Sequence, residues 1–217
     1  MIFAKVNPQV LLVAAMLIHV HPLDPQERLI RQVVSILKEG GIIIYPTDTI
    51  YGLGCDIFQQ KAIERICRIK NIAPEKANLS FVCYDLSDLS RYARQLETSV
   101  YRSLKQHLPG PYTFILKASR EVPRILKTKK DTVGIRIPDN KIARCIVKEL
   151  GNPILSATLP GDYVEEYTDP EIINEKFGHI VDIVIDAGIG GIVPSTIIDY
   201  TSIQPEVVRD GLGKWQE

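Results

Sequence analysis

The chain has 217 residues, 45% of them apolar and 24% charged, which is the composition of a globular domain and sets aside disordered, collagenous and disulfide-scaffold classes. Its 26 Lys and Arg residues cancel 26 Asp and Glu, so a protein that wraps nucleic acid through global positive charge is disfavoured, although a local basic face stays open.

From Val10 to Ile18 the sequence is uninterrupted apolar behind the single charge of Lys5. The run is too short to span a bilayer, which takes about 20 apolar residues. His19, Val20, His21 and Pro22 follow it in place of a small-x-small cleavage site. Met16 offers a second start, so residues 1–15 are expected to be an N-terminal extension or upstream start. Residues 16–217 then form one domain whose first strand is Met16–Val20.

Asp24-Pro25-Gln26-Glu27 predicts a helix start with Asp24 as cap, Pro25 in the first turn and Glu27 closing a capping box. Leu29, Ile30, Val33, Val34, Ile36 and Leu37 supply the apolar stripe, and Gly40-Gly41 the stop. A strand over 42–45 follows. Gly41 to Asp56 then delivers Pro46-Thr47-Asp48-Thr49 from a buried strand, with Gly52 and Gly54 expected to let the backbone turn sharply. Two readings stay open here: a strand-end binding site, or a capped turn in which Thr47, Asp48 and Thr49 bond their own backbone.

Further on, periodicity predicts helix 61–70, strand 79–84, helix 98–107 and strand 112–117, then strand 132–137, a helix from the Asn140 cap to Gly151, and strand 154–157. A helix opening at Asp169-Pro170 and strands over 181–185, 196–200 and 206–209 complete the series. Helices alternate with strands early and strands crowd late. The expected fold class is therefore α/β, one twisted, mixed parallel and antiparallel sheet flanked by helices. Leu159 to Thr168, acidic and weakly patterned, is the expected mobile loop.

Charge is uneven along the chain. Lys117 to Arg136 holds seven basic and two acidic residues, while Asp162 to Glu175 holds six carboxylates and no Lys or Arg, so an anionic partner would meet the first segment. Cys55, Cys67, Cys83 and Cys145 form no C-x-x-C pair, and the four histidines form no metal-binding spacing. Buried reduced thiols, a cytoplasmic location, no membrane association and no structural metal are the expectations.

Tyr45-Pro46-Thr47-Asp48-Thr49-Ile50-Tyr51-Gly52-Leu53-Gly54 resembles the hallmark of the YrdC/YciO family. Pro109-Gly110-Pro111-Tyr112-Thr113, Thr132 to Pro138 with Arg136, Ser195-Thr196-Ile197-Ile198-Asp199 and Arg209-Asp210-Gly211 are similar to its later motifs, in order, from His21 onward. The resemblance implies a YrdC-like domain. It also implies a nucleotidyltransferase of the threonylcarbamoyl-AMP synthase type, which makes threonylcarbamoyl-AMP and pyrophosphate from ATP with Mg²⁺, L-threonine and bicarbonate for threonylcarbamoyladenosine in tRNA. No permanently bound cofactor is implied. Thr49, Arg136, Ser156 and Ser195 would bind the threonine side; Lys70, Thr132, Thr158 and Arg209 would bind the nucleotide. Chemistry fits: arginine grips a carboxylate bidentately, and Lys and Arg neutralise phosphate.

By position alone Lys70 would merely complement a helix dipole, Ser195 cap a strand end and Arg209 sit exposed on a strand, whereas an arginine inside the apolar Val133 to Ile137 strand points to function. Compared with the synthase branch, Ile72 replaces the arginine of Lys-x-Arg, Thr158 replaces the asparagine of Ser-x-Asn, and Phe81 stands where a histidine faces threonine. These departures resemble the YciO-type branch and imply attenuated synthesis. The alternatives are a tRNA- or double-stranded-RNA-binding protein of the same fold, or one that hydrolyses threonylcarbamoyl-AMP.

Overall fold

The structure, a computed structural model, describes residues 15–73, 79–94, 96–126, 131–161, 167–202 and 204–215. Residues 1–14 of the expected extension, 127–130 of the basic run and 162–166 of the acidic stretch lie outside them.

Among the described residues ten strands and six α-helices follow in the order β1 (Met16–His19), α1 (Glu27–Lys38), β2 (Ile43–Tyr45), β3 (Gly52–Asp56), α2 (Gln60–Ile69), β4 (Ser80–Val82), α3 (Leu86–Tyr92), α4 (Thr98–His107), β5 (Tyr112–Lys117), β6 (Thr132–Arg136), α5 (Lys141–Leu150), β7 (Ile154–Thr158), α6 (Pro170–Phe177), β8 (Ile183–Asp186), β9 (Thr196–Asp199) and β10 (Glu206–Arg209). All strands join one sheet, β1-β8-β2-β3-β7-β4-β6-β5-β9-β10. β1 and β2 pair with β8, β4 with β6 and β5 with β9 in parallel; the remaining pairs are antiparallel. The mixed sheet read from the sequence is the sheet found.

Helices cover both faces, and the two-residue period of the strands decides which side chain meets which layer. Ile43 and Tyr45 pack with Ile30, Val33 and Leu37 of α1 and Ile142, Ile146 and Val147 of α5. Ile42 and Ile44 point the other way, to the layer holding Ile63 and Ile66 of α2, Leu89 of α3, Leu104 of α4 and Ile173 of α6. A strand buried on both faces needs a continuous apolar run, which is why 42–44 is isoleucine throughout.

Several local expectations hold. Asn140 Oδ1 caps α5 by accepting the Ala143 N–H at 3.0 Å, and Gly151 closes it at φ +83°. Asp169 accepts from Glu171 N at the start of α6, with Pro170 in its first turn. Others change. α1 begins at Glu27 with Gln26 as cap position, not at Asp24: the Asp24 N–H is held by His21 Nδ1 and the His21 N–H by Gln26 Oε1, so residues 21–26 form a separate turn before the helix. Gly52 and Gly54 lie inside β3 and not in a turn. α3 was not anticipated; Asp85 caps it through Asp88 N while Asp88 bonds back to Tyr84 N. The expected mobile stretch is packed at both described ends, with Leu159 and Tyr167 buried. Among the described residues no helix is long and apolar enough to cross a membrane, no group of His, Cys, Asp and Glu is placed to hold a metal, and the cysteines form no disulfide. Burial pushes the thiols of Cys55 and Cys83 well above the ordinary range.

Candidate functional site

Strand register builds a hollow on one sheet face. Gly54, Ser156, Ser80 and Gly134 stand in one row across β3, β7, β4 and β6, and Arg136, Thr113, Ile197 and Arg209 form a second row across β6, β5, β9 and β10. Side chains two apart along a strand share a face, so Thr158, Ser156, Ser80 and Arg136 all project to the same side. The first row is small. The result is a cavity of about 330 Å³ that also receives Thr47, Lys70, Ile72, Pro194 and Ser195.

Tyr45 explains the paired glycines of the hallmark. Its ring crosses beneath β3 to place its hydroxyl 2.7 Å from Ser156 Oγ, and a Cβ at Gly54 would stand 2.8 Å from both Tyr45 Cε1 and Ile154 Cγ2. Burial pushes the Tyr45 phenol up to about 12, against the Ser156 hydrogen bond, which lowers it. The phenol therefore stays protonated and donates to Ser156, which leaves the serine proton available to the cavity.

Arg136 is buried, 7% exposed at the end of β6. One terminal nitrogen donates to Asp48 Oδ1 at 2.8 Å and Thr49 Oγ1 at 3.0 Å, while Asp48 Oδ2 accepts the Asp139 N–H at 3.1 Å. Its Nε is buried without a partner. Thr47 donates to Ile50 O at 2.7 Å, so the proton of its contact with Thr49, at 3.0 Å, comes from Thr49. Thr49 is thus occupied twice, as donor to Thr47 and acceptor from Arg136, and at 2% exposure it stands behind the guanidinium and not on the cavity wall. The capped-turn reading holds for Thr47, which donates to Ile50 O and accepts the Thr49 N–H, whereas Asp48 and Thr49 turn their side chains to Arg136 and so position a cavity residue.

Lys70, just past α2, donates to Thr158 O at 3.0 Å and to Thr158 Oγ1 at 2.8 Å. Arg209 donates to Ser195 O at 2.7 and 3.1 Å and to Ser195 Oγ at 3.2 Å; Ser195 Oγ also meets Thr113 Oγ1 at 2.9 Å. Among the described residues neither cation has a carboxylate partner, and no Asp or Glu lines the cavity. Burial lowers the pKa of Lys70, and burial followed by the Arg136 charge lowers that of Arg209. Thr196 faces away and bonds Gly213 O and Gly211 N, tying down the closing segment. Gly211 has to be glycine there, since a Cβ would lie 2.4 Å from Pro194 O.

Of the eight residues singled out from the sequence, Lys70, Arg136, Ser156, Thr158, Ser195 and Arg209 line one cavity and Thr49 supports it. Thr132 lies apart, at the start of β6, on an adjoining apolar pocket of about 180 Å³ that shares Leu79, Ser80, Thr113 and Ile197 with the first. Phe81 lines this second pocket from the sheet. The sequence reading missed Thr47, Ser80 and Thr113 as cavity residues, although the last two are polar members of otherwise apolar strands.

The Sua5/YciO/YrdC family model, described as telomere recombination, matches residues 35–211. The chain belongs to this family. It is 46% identical over 198 residues to the uncharacterized protein YciO of Escherichia coli K12, covering 90% of this chain and 95% of that one. The crystal structure of E. coli YciO superposes with a TM-score of 0.86 at 44% identity, over 92% of this chain and 97% of that one. A threonylcarbamoyl-AMP synthase of Halorhodospira halophila is 25% identical over 84% of this chain and 90% of its own. Sua5 of P. abyssi complexed with L-threonine matches with a TM-score of 0.80 at 28% identity, over 91% of this chain and 58% of that one. The family therefore includes threonylcarbamoyl-AMP synthases, at lower identity to this chain than the YciO proteins.

Proposed function

We propose that the cavity binds L-threonine and a nucleotide side by side, and that the protein is an attenuated threonylcarbamoyl-AMP synthase. The overall conversion joins ATP, L-threonine and bicarbonate into threonylcarbamoyl-AMP, releasing pyrophosphate and water, and serves threonylcarbamoyladenosine formation in tRNA. The observation that carries this reading is the asymmetry of the cavity's cations: Arg136 is held in place by Asp48 and Thr49, whereas among the described residues Lys70 and Arg209 meet only neutral oxygens. Uncompensated, half-buried cations are costly unless an anion completes them.

In this reading Arg136, which lines the cavity, takes the threonine carboxylate, while Ser156 donates to a carbonyl or carboxylate oxygen and Ser195 completes the polar wall. Lys70 and Arg209 hold the phosphate, and ATP arrives with its own Mg²⁺. The apolar pocket beside Thr132 suits a flat base. Adenylation asks little of the protein beyond positioning and charge neutralisation. Ile72, on the wall near Lys70, offers phosphate no charge, which is why the rate is low.

Purified protein with ATP, Mg²⁺, L-threonine and labelled bicarbonate tests the reading: slow formation of labelled threonylcarbamoyl-AMP with matching pyrophosphate is the expected result. Absence of product together with RNA binding that weakens steeply with salt would favour the RNA-binding alternative.

A further inference from the structure

Arg209 reaches the cavity from the edge of the sheet. β10 is the last strand of the order, its pairing with β9 slips between Val207 and Arg209, and Glu206, Val207 and Val208 are exposed. A bulge of this kind re-aims a side chain, here Arg209, and disrupts the ladder that would otherwise hold the backbone still. Ser195, which Arg209 meets, is secured by other means: the next residue, Thr196, donates its N–H to Pro111 O at 3.0 Å, and β9 runs in register with β5.

The backbone of Arg209 is fixed instead by the segment that follows it. Thr196 is fully buried, and its one hydroxyl serves two bonds, accepting from Gly211 N at 3.0 Å and donating to Gly213 O. Leu212 N donates to Pro194 O at 2.8 Å, and the Tyr112 hydroxyl donates to Lys214 O at 3.0 Å. The Trp215 indole then stacks on the His107 ring at the end of α4, with centroids 4.6 Å apart. Residues 210–215 are thus a strap fastened chiefly at Thr196. We infer that Thr196 is a positioning residue for the nucleotide: by holding the strap it holds Arg209 where a phosphate meets it. This rests on the proposed threonine-and-nucleotide reading and extends it to a residue that lines neither of the two pockets. Thr196 itself stays in place without its hydroxyl, because its backbone is paired to β5, and the groups it releases lie on a terminal segment that water can reach.

The test compares Thr196→Val, which keeps the shape and removes both bonds, with Thr196→Ser, which keeps the hydroxyl. Calorimetry on the full chain with ATP and Mg²⁺, and separately with L-threonine, reads the two sides of the cavity. The fluorescence of Trp215, the one tryptophan of the chain, reads the strap. Thr196→Val should weaken ATP about tenfold, the scale of a displaced charged hydrogen bond, and change threonine affinity by less than about twofold. Its Trp215 emission should move to the red as the indole leaves His107. Thr196→Ser should restore both readings. Unchanged ATP affinity in Thr196→Val, or a loss without the red shift, overturns the inference and leaves the threonine-and-nucleotide reading standing. An equal loss of both ligands, the mark of general damage, or a serine variant that fails to recover ATP binding, does the same. A wild-type chain that binds no nucleotide overturns that reading and the inference with it. If Thr196→Val does not fold, Tyr112→Phe decides, since it frees only Lys214 O: ATP about two- to threefold weaker with threonine unaffected is expected, and no change overturns the inference.

Discussion

The two ends of the cavity are built on opposite principles. Around Arg136 the two opposite charges are already paired inside the protein: Asp48 takes the guanidinium, Thr49 bridges it to Thr47, Asp139 N–H closes the network, and Tyr45 holds Ser156. Around Lys70 and Arg209 the partners among the described residues are two backbone carbonyls and hydroxyls, with no carboxylate. The first end is organised before any ligand arrives and presents a fixed shape. The second offers cations that, in the proposed reading, a ligand anion completes. Groups at the first end should therefore matter for folding as well as binding, and groups at the second for binding alone.

The largest test of this contrast is Arg136→Ala. It strands the Asp48 carboxylate, only 9% exposed, and breaking one partner of such a pair costs about 3–5 kcal/mol. Urea denaturation should show that loss, and Asp48→Ala in the same chain should recover part of it. A variant as stable as wild type would mean that the pair does not organise this end.

Lys70→Met should behave in the opposite way. Stability is expected to stay within about 0.5 kcal/mol, as for a substitution that breaks none of the fold's critical contacts. Nucleotide binding should fall by about 1.5–3 kcal/mol, the scale of a charged hydrogen bond. If denaturation shows Lys70→Met as damaging as Arg136→Ala, the contrast between the two ends fails.

Tyr45→Phe sharpens the comparison at the organised end. Losing the bond to Ser156 Oγ should cost about 1 kcal/mol of stability and a comparable amount of threonine affinity, while AMP binding without threonine stays unchanged. Titration calorimetry with each ligand separates these outcomes.

The smallest effect concerns pH. Burial lowers the pKa of Lys70 in the folded chain, so the unfolded chain binds the proton more tightly, and this group's contribution to stability rises with pH across the window below the ordinary lysine value. Ligand affinity moves the other way, because a bound anion favours the ammonium. Nucleotide binding should take up protons on the alkaline side and weaken as pH rises through the lowered range. Proton uptake measured in buffers of different ionisation enthalpy checks the sign, and Lys70→Met should abolish the slope.

Much of this architecture is written in local patterns. The Asn140 cap and Gly151 stop of α5, the Asp169-Pro170 start of α6 and the limits of α4, β5 and β10 follow from side-chain capping and apolar period, which depend only on near neighbours. The turn-versus-strand reading at Gly52 and Gly54 failed because their glycines answer to Tyr45, a residue seven to nine positions away that folds back under β3. Motif order likewise brought Lys70, Arg136, Ser156, Thr158, Ser195 and Arg209 together as one candidate set.

Position in the sequence could not decide which of them face the same space. Thr49 and Thr132 were indistinguishable from Ser156 as polar residues in motif segments, yet one stands behind Arg136 and the other beside an apolar pocket. The sequence alone determined the mixed α/β fold and the residue types available for an anionic ligand, because hydrophobic period and charge are properties of the chain. Only the tertiary structure decided that Arg136 is paired with a carboxylate, because that depends on Asp48 lying 2.8 Å from it across 88 residues of sequence, a distance set by strand register.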